Sequence, residues 1–75
     1  MHHTILELLR DGEQQLKTTS SSSRLDAELL LASLLGCDRT GLYATVQPPR
    51  PIDIKRFAKL IKERATGQPI AYLLG

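Results

Sequence analysis

Apolar residues recur near the start of the chain at the spacing of one helical face. Between residues 4 and 17 this face contains Ile5, Leu8, Leu9, Gly12 and Leu16. Leu6 would widen the apolar face. Because glycine in a helix interior costs about 1 kcal/mol relative to alanine, Gly12 indicates the close approach of a second helix. We therefore predict a first amphipathic helix, followed by a serine- and threonine-rich loop over residues 18–23.

The next segment, residues 24–35, is apolar on almost every side. A helix of this kind must be covered all round, so we predict that it is the central helix of the fold. Ser23 and Asp26 have the spacing of a capping box at its start, and Gly36 supplies a left-handed stop. Asp26 and Glu28 point to different faces at this spacing, which argues against a catalytic carboxylate pair. We interpret Asp26 as a stabiliser of the first helical turn that could pair with an arginine.

The second half of the chain contains further helix signals and no strand pattern. Residues 39–46 predict one or two helical turns, and the proline-rich residues 47–51 predict a stiff extended connection. A third long helix follows, with Asp53 at its cap or in its first turn, and a short helix is expected over residues 70–74. The apolar face of the long helix contains Ile54, Phe57, Ala58, Ile61 and Ala65. The predicted fold class is all-α, a small bundle of four to five helices.

Chain length and cysteine usage exclude several classes of protein. Seventy-five residues allow one small helical domain, over residues 1–75, and are too few for a complete enzyme with a cofactor pocket. Cys37 is the single cysteine, which excludes a scaffold held by internal disulfides. The apolar runs are much shorter than the roughly 18 residues of a membrane span, and the N-terminus lacks the layout of a signal peptide. We therefore expect a cytoplasmic protein that does not associate with membranes.

The sequence shows no residue pattern typical of a catalytic, cofactor-binding or metal site. Its two histidines are adjacent, at positions 2 and 3, which is not a metal-ligand spacing. The glycines are dispersed and form no phosphate-binding loop. The serines at positions 20–23 have no histidine after them to activate a nucleophile. We expect no catalytic, cofactor-binding or metal-binding residue in this chain.

The charge of the chain is concentrated in one segment, which contains the candidate binding residues. The net charge is +2, yet residues 50–64 carry six basic and two acidic side chains. Within this segment Lys55, Lys59 and Lys62 recur at helical spacing beside the predicted apolar face. This lysine stripe could be a solvated helix face, a surface that docks a protein, or a contact for nucleic acid.

Two segments of the chain resemble a known enzyme family. Residues 24–31, RLDAELLL, followed by LLG at 34–36, are similar to the second helix of the release-factor glutamine methyltransferases of the HemK/PrmC type. Residues 64–75, RATGQPIAYLLG, are similar to the segment that closes the N-terminal domain of these enzymes, and residues 42–44 fit the short element between. Because both segments occur in this order and at this separation, the resemblance covers most of the chain.

The resemblance implies that this chain is the helical first part of a two-domain enzyme. In this family a catalytic domain that binds S-adenosylmethionine follows, and the enzyme methylates the glutamine of the Gly-Gly-Gln motif in peptide chain release factors. The family's catalytic motif, Asn-Pro-Pro-Tyr, belongs to that second domain, and Gln-Pro-Pro-Arg at residues 47–50 does not match it. The resemblance therefore assigns no catalytic residue here, and it implies S-adenosylmethionine as a cofactor of the parent enzyme only.

Three functions are compatible with the sequence and the resemblance. The chain could position the release factor beside its own catalytic domain, with Lys55, Lys59 and Lys62 as contacts. It could instead be an independent helical module that binds DNA or RNA, in which case binding would weaken steeply with added salt. It could also be a structural domain that folds early and shields the catalytic domain.

Overall fold

The computed structural model describes residues 4–74, and the adjacent histidines at positions 2 and 3 lie outside this range. Over the described range the chain forms five helices and no strand, which confirms the all-α prediction. The helices are α1 (Ile5–Leu16), α2 (Ser23–Leu35), α3 (Arg39–Ala44), α4 (Pro51–Ala65) and α5 (Ile70–Leu74). None of these helices has the length and hydropathy needed to cross a membrane.

Helix α2 is the centre of the fold, as its apolar composition predicts. It packs against all four other helices, and Ala27, Leu30 and Leu31 are completely buried. The helix stops at Gly36, whose φ of 74° is left-handed and favours glycine. The predicted capping box at Ser23 is wrong, because Ser22 is the N-cap and its side chain makes no capping bond. The carboxylate of Asp26 accepts hydrogen bonds from the loop hydroxyls instead.

Helix α1 presents the predicted face to the core. Its buried residues are Ile5, Leu8, Leu9, Gly12 and Leu16. Leu6 is 55% exposed and does not widen the buried face. Thr4 and Glu7 form a reciprocal capping box that satisfies backbone N–H groups at the start of the helix. Gly12 has no side chain to keep α1 away from α4, and this is the close helix approach that the sequence indicated.

Helix α4 begins at the last residue of the segment that the sequence predicted to be extended, residues 47–51. Pro51 is its first residue. The fixed φ of proline suits this position, and proline loses no hydrogen bond there because an N–H in the first turn has no acceptor within the helix. The extended connection therefore stops at Arg50, and Asp53 lies in the first turn. Phe57 and Ile61 are buried in the core.

Candidate functional site

The lysine stripe of Lys55, Lys59 and Lys62 lies on the outward side of α4. All three side chains are exposed, while Phe57 and Ile61 on the opposite side of the same helix are buried. The burial of that face fixes the rotation of α4, so the three ammonium groups share one solvent-facing side. The structure thus brings these residues together on one surface, as the spacing predicted.

Sequence reasoning placed Ala58 on the core face of α4, and this was wrong. Ala58 is exposed, because the face that packs into the bundle is narrower than the apolar pattern. Its position is three residues from Lys55 and four from Lys62, which puts a small apolar residue beside the lysine stripe. Ala58 also lines a groove of about 190 Å³ between α4 and α1, with Gly12 and Phe57 among its walls. The lysine stripe therefore borders a mostly apolar groove, whose lining also includes Asp11 and Gln15.

Two further exposed residues of α4 were missed as candidates. Arg56 is exposed and adds a fourth cation to this part of the surface, and Ile52 is 44% exposed near the start of the helix. The concentration of basic residues in this segment signalled Arg56. The position of Ile52, outside the predicted apolar face and four residues before Arg56, could have signalled its exposure. A cationic surface with apolar neighbours is suited to binding.

The N-terminal end of α4 is held by an ion pair that is local in sequence. Arg50 donates from its Nε to Asp53 Oδ2 at 3.0 Å, and its backbone N–H donates to the same oxygen at 3.2 Å. The side-chain hydrogen bond from Arg50 is the main reason why the pKa of Asp53 lies below its ordinary value. The carboxylate stays ionised at the positive end of the helix dipole, which stabilises the first turn.

A buried carboxylate cluster joins the loop after α1 to the end of α4. Asp26, 4% exposed, accepts hydrogen bonds from Ser20 Oγ at 2.7 Å and from Arg64 Nε at 3.1 Å. Arg64 also donates from Nη1 to the backbone carbonyl of Gln68 at 3.1 Å. These hydrogen bonds connect the start of α2 to the loop after α1 and to the end of α4, so the role of Asp26 is structural. The expectation that Asp26 could pair with an arginine is confirmed.

A second buried carboxylate cluster joins α2 to α3. Glu28, 5% exposed, accepts hydrogen bonds from the hydroxyl of Tyr43 and from Arg39, whose Nη2 lies 2.9 Å from Glu28 Oε1. Burial by itself raises the pKa of Glu28. The hydrogen bonds from Tyr43 and Arg39 and the positive charges of Arg39 and Arg24 lower it by more, so the pKa of Glu28 lies below its ordinary value. Glu28 is therefore an ionised structural acceptor.

Asp26 and Glu28 do not form a catalytic pair. Each carboxylate is directed to a different neighbour helix, as their spacing predicted, and each is satisfied by its own arginine partner. Among residues 4–74 no group of three or more histidine, cysteine or acidic side chains is arranged to hold a metal ion. The two carboxylates thus have structural partners, whereas the salt bridges described within residues 4–74 include none of Lys55, Lys59 and Lys62.

The sequence is similar to one protein family over almost its whole length. The family model described as the PrmC N-terminal domain matches residues 7–75. Matching relatives include the release factor glutamine methyltransferase of Coxiella burnetii, 40% identical over 73 residues that make up 96% of this chain and 26% of the relative. The protein of the same name from Pseudomonas aeruginosa is also 40% identical over 73 residues, 96% of this chain and 25% of the relative.

A third relative with this name, from Rhodopirellula baltica, is 42% identical over 60 residues, which are 79% of this chain and 20% of the relative. This chain therefore spans about a quarter of the length of the relatives that it matches. The matched region includes both buried carboxylate clusters and the lysine stripe.

Proposed function

The chain belongs to the PrmC N-terminal domain family, and from this membership we propose that it is the substrate-docking domain of a longer methyltransferase. The proposed parent enzyme transfers a methyl group from S-adenosylmethionine to the glutamine of the Gly-Gly-Gln motif in a peptide chain release factor. Support comes from the name of the relatives, release factor glutamine methyltransferase, and from their greater length. The proposal places the protein in the cytoplasm, where release factors act.

The residues of this chain are poorly suited to hold the cofactor. Folds that bind adenosine cofactors commonly hold them at a glycine-rich turn between a parallel strand and a helix, and residues 4–74 form only helices. The carboxylates beside two of the surface grooves are also engaged, since Asp38 accepts from the backbone N–H of Gly41 and Asp53 accepts from Arg50. We therefore assign S-adenosylmethionine binding and methyl transfer to the domain that follows in the parent enzyme.

The observation that carries the docking role is the lysine stripe on α4. Lys55, Lys59 and Lys62 are exposed, and like charges at this spacing contribute nothing to helix stability and cost a little through repulsion. Such a stripe attracts an acidic protein surface over a distance of about a Debye length, and salt weakens this attraction. The apolar groove at Ala58 offers contact area beside the charges, so that the complex does not depend on electrostatics alone.

The test replaces Lys55, Lys59 and Lys62 together by glutamate in the parent enzyme. At low salt, kcat/KM for an intact release factor should fall about tenfold, equivalent to roughly 1.4 kcal/mol. The rate on a short peptide that carries only the Gly-Gly-Gln segment should not change, because such a peptide cannot reach this domain.

A matched variant with arginine at the same three positions retains the charge and should retain wild-type activity on the intact release factor. Equal activity of the glutamate variant and wild type on the intact release factor would show that the lysine stripe is only a solvated helix face. Binding of the wild-type domain to any nucleic-acid duplex, with an affinity that falls steeply as salt is added, would favour a nucleic-acid-binding module instead. The coding sequence after Gly75 provides a further check, since the proposal requires an Asn-Pro-Pro-Tyr motif in the domain that follows.

A further inference from the structure

Helix α5 is apolar on all sides but is packed on only one side. Its five residues are Ile70, Ala71, Tyr72, Leu73 and Leu74, and residues 65–75 include no charged side chain. Ile70 and Leu73 pack against the core, whereas Tyr72 is 72% exposed and Leu74 is 39% exposed. A helix that is hydrophobic all round is normally buried, so the outer side of α5 lacks a cover.

The apolar surface continues beside Leu74 into a groove of about 470 Å³ between α2 and α3. Leu29, Ala32 and Cys37 line it together with Leu74. Two exposed charged residues also line the groove: Asp38 accepts a hydrogen bond from the backbone N–H of Gly41, and Arg39 forms an ion pair with Glu28. Residues two apart in a helix do not face each other, so α5 exposes Tyr72 on one flank and Leu74, beside the groove, on another. We name the apolar residues of these two flanks the exit face and define it by Leu29, Cys37, Tyr72 and Leu74.

The exit face cannot be covered by a simple rotation of α5. Arg64 is anchored on Asp26 and donates to the carbonyl of Gln68, which fixes the turn that precedes α5. The backbone N–H of Tyr72 donates to the carbonyl of Pro69 at 3.1 Å, so the helix is tied to this fixed turn. Ile70 and Leu73 already occupy the inner side, so Tyr72 stays directed outward.

We propose that the exit face docks the domain that follows this one in the parent protein. The family is an N-terminal domain and the chain spans about a quarter of its relatives, so the remaining three quarters of such proteins follow α5. A domain tethered directly after α5 is held at high effective concentration against this face. Its chemistry should be apolar, with a hydrogen-bond acceptor for the Tyr72 hydroxyl. The inference rests on the proposed two-domain enzyme and names the surface through which its domains meet.

Thiol labelling in the parent protein tests this interface without any enzymatic turnover. In a Cys37→Ser background, Tyr72→Cys places a single reporter on the exit face, and Lys59→Cys places a control reporter on α4. Each variant is labelled with a maleimide both as the parent protein and as the 75-residue chain. Labelling of Tyr72→Cys should be about tenfold slower or more in the parent than in the 75-residue chain, because the thiol must wait for the domains to open. Lys59→Cys should be labelled at the same rate in both.

The outcomes separate this inference from the proposed function. Equal labelling rates for Tyr72→Cys in the parent and in the 75-residue chain would overturn the inference, even if the parent methylates release factors. Concentration-dependent protection in the 75-residue chain would also overturn it, because a second copy would then be the occupant. Protection of Tyr72→Cys in a parent that does not methylate any release factor would leave the interface intact and refute the proposed function alone.

Discussion

Arg64, near the end of α4, donates from its Nε to Oδ2 of Asp26, near the start of α2, at 3.1 Å. Thirty-eight positions separate the two residues, and the side chains of Asp26 and Arg64 are 6% and 18% exposed. This pair joins the central helix to the last turn of α4, and through the Gln68 carbonyl it also fixes the entry to α5.

Removing the arginine of this pair should destabilise the fold strongly. Arg64→Met leaves the Asp26 carboxylate buried without its cationic partner, and breaking a buried pair in this way costs about 3 kcal/mol or more. Urea unfolding followed by circular dichroism would measure the loss. The control is Glu13→Gln, which breaks a pair with Arg24 whose side chains are about one third exposed, and it should cost less than about 1 kcal/mol. Similar losses in both variants would contradict a special role for the buried pair.

Truncation in the central helix should also be costly. Leu30 is completely buried in α2, so Leu30→Ala should reduce the free energy of unfolding by about 2 to 5 kcal/mol, a large part of the stability of so small a fold. Leu25→Ala serves as the control on the same helix, because Leu25 is 38% exposed and loses less buried surface. A thermal melt of Leu30→Ala that coincides with that of wild type would show that α2 is not the centre of the core.

A side chain at Gly12 should force α1 and α4 apart. A Cβ atom there would lie 3.0 Å from Ile61 Cδ1 and from Phe57 Cζ, and both of these side chains are buried and cannot easily move. We expect Gly12→Val to destabilise by about 1 to 3 kcal/mol through overpacking, despite its lower backbone entropy in the unfolded chain. Gln14→Val, at an exposed position of the same helix, controls for the helix propensity of valine. Equal melting temperatures for the two valine variants would contradict the close approach.

Acidification should destabilise the fold partly through Glu28. Its pKa in the folded chain lies below the ordinary value of 4.5: burial raises it, but the bonds and charges of Tyr43, Arg39 and Arg24 lower it more. The unfolded chain, with the ordinary pKa, therefore binds the proton first as the pH falls. The stability from this group is present above about pH 4.5 and is lost as the pH falls through the folded pKa.

The Glu28→Gln variant isolates this contribution. It should be less stable than wild type at neutral pH, and the difference in the free energy of unfolding should shrink as the pH falls below about 4.5, because a protonated glutamate resembles glutamine. Urea titrations of both proteins across this range provide the measurement. A stability difference that does not change with pH would show that the charge of Glu28 is not what the cluster needs.

The 75-residue chain should not bind S-adenosylmethionine and should have no methyltransferase activity. The reason is the fold itself, since helices α1 to α5 provide no strand-to-helix turn of the kind that holds adenosine cofactors. Isothermal titration calorimetry of the chain with the methyl donor should give no saturable heat. Saturable binding would show that the cofactor site, or part of it, lies in this domain.

Hydrophobic periodicity, together with the positions of glycine and proline, determined much of this fold. The buried face of α1, the apolar centre at α2, the stop at Gly36 and the limits of α5 all follow from residues close together in the chain. These features depend on the 3.6-residue helical repeat and on the backbone preferences of glycine and proline, which are local properties. The spacing of Lys55, Lys59 and Lys62 likewise fixed their common side of α4.

Only the tertiary structure decided how the helices use their polar residues. The pairing of Asp26 with Arg64, the joining of Glu28 to Tyr43 and Arg39, and the exposure of Ala58 depend on which helices pack together and at what rotation. The helical repeat specifies which residues share a face, but not which neighbour covers that face or how wide the contact is. Burial of a carboxylate is therefore a property of the assembled bundle, because its arginine partner is brought close only by packing.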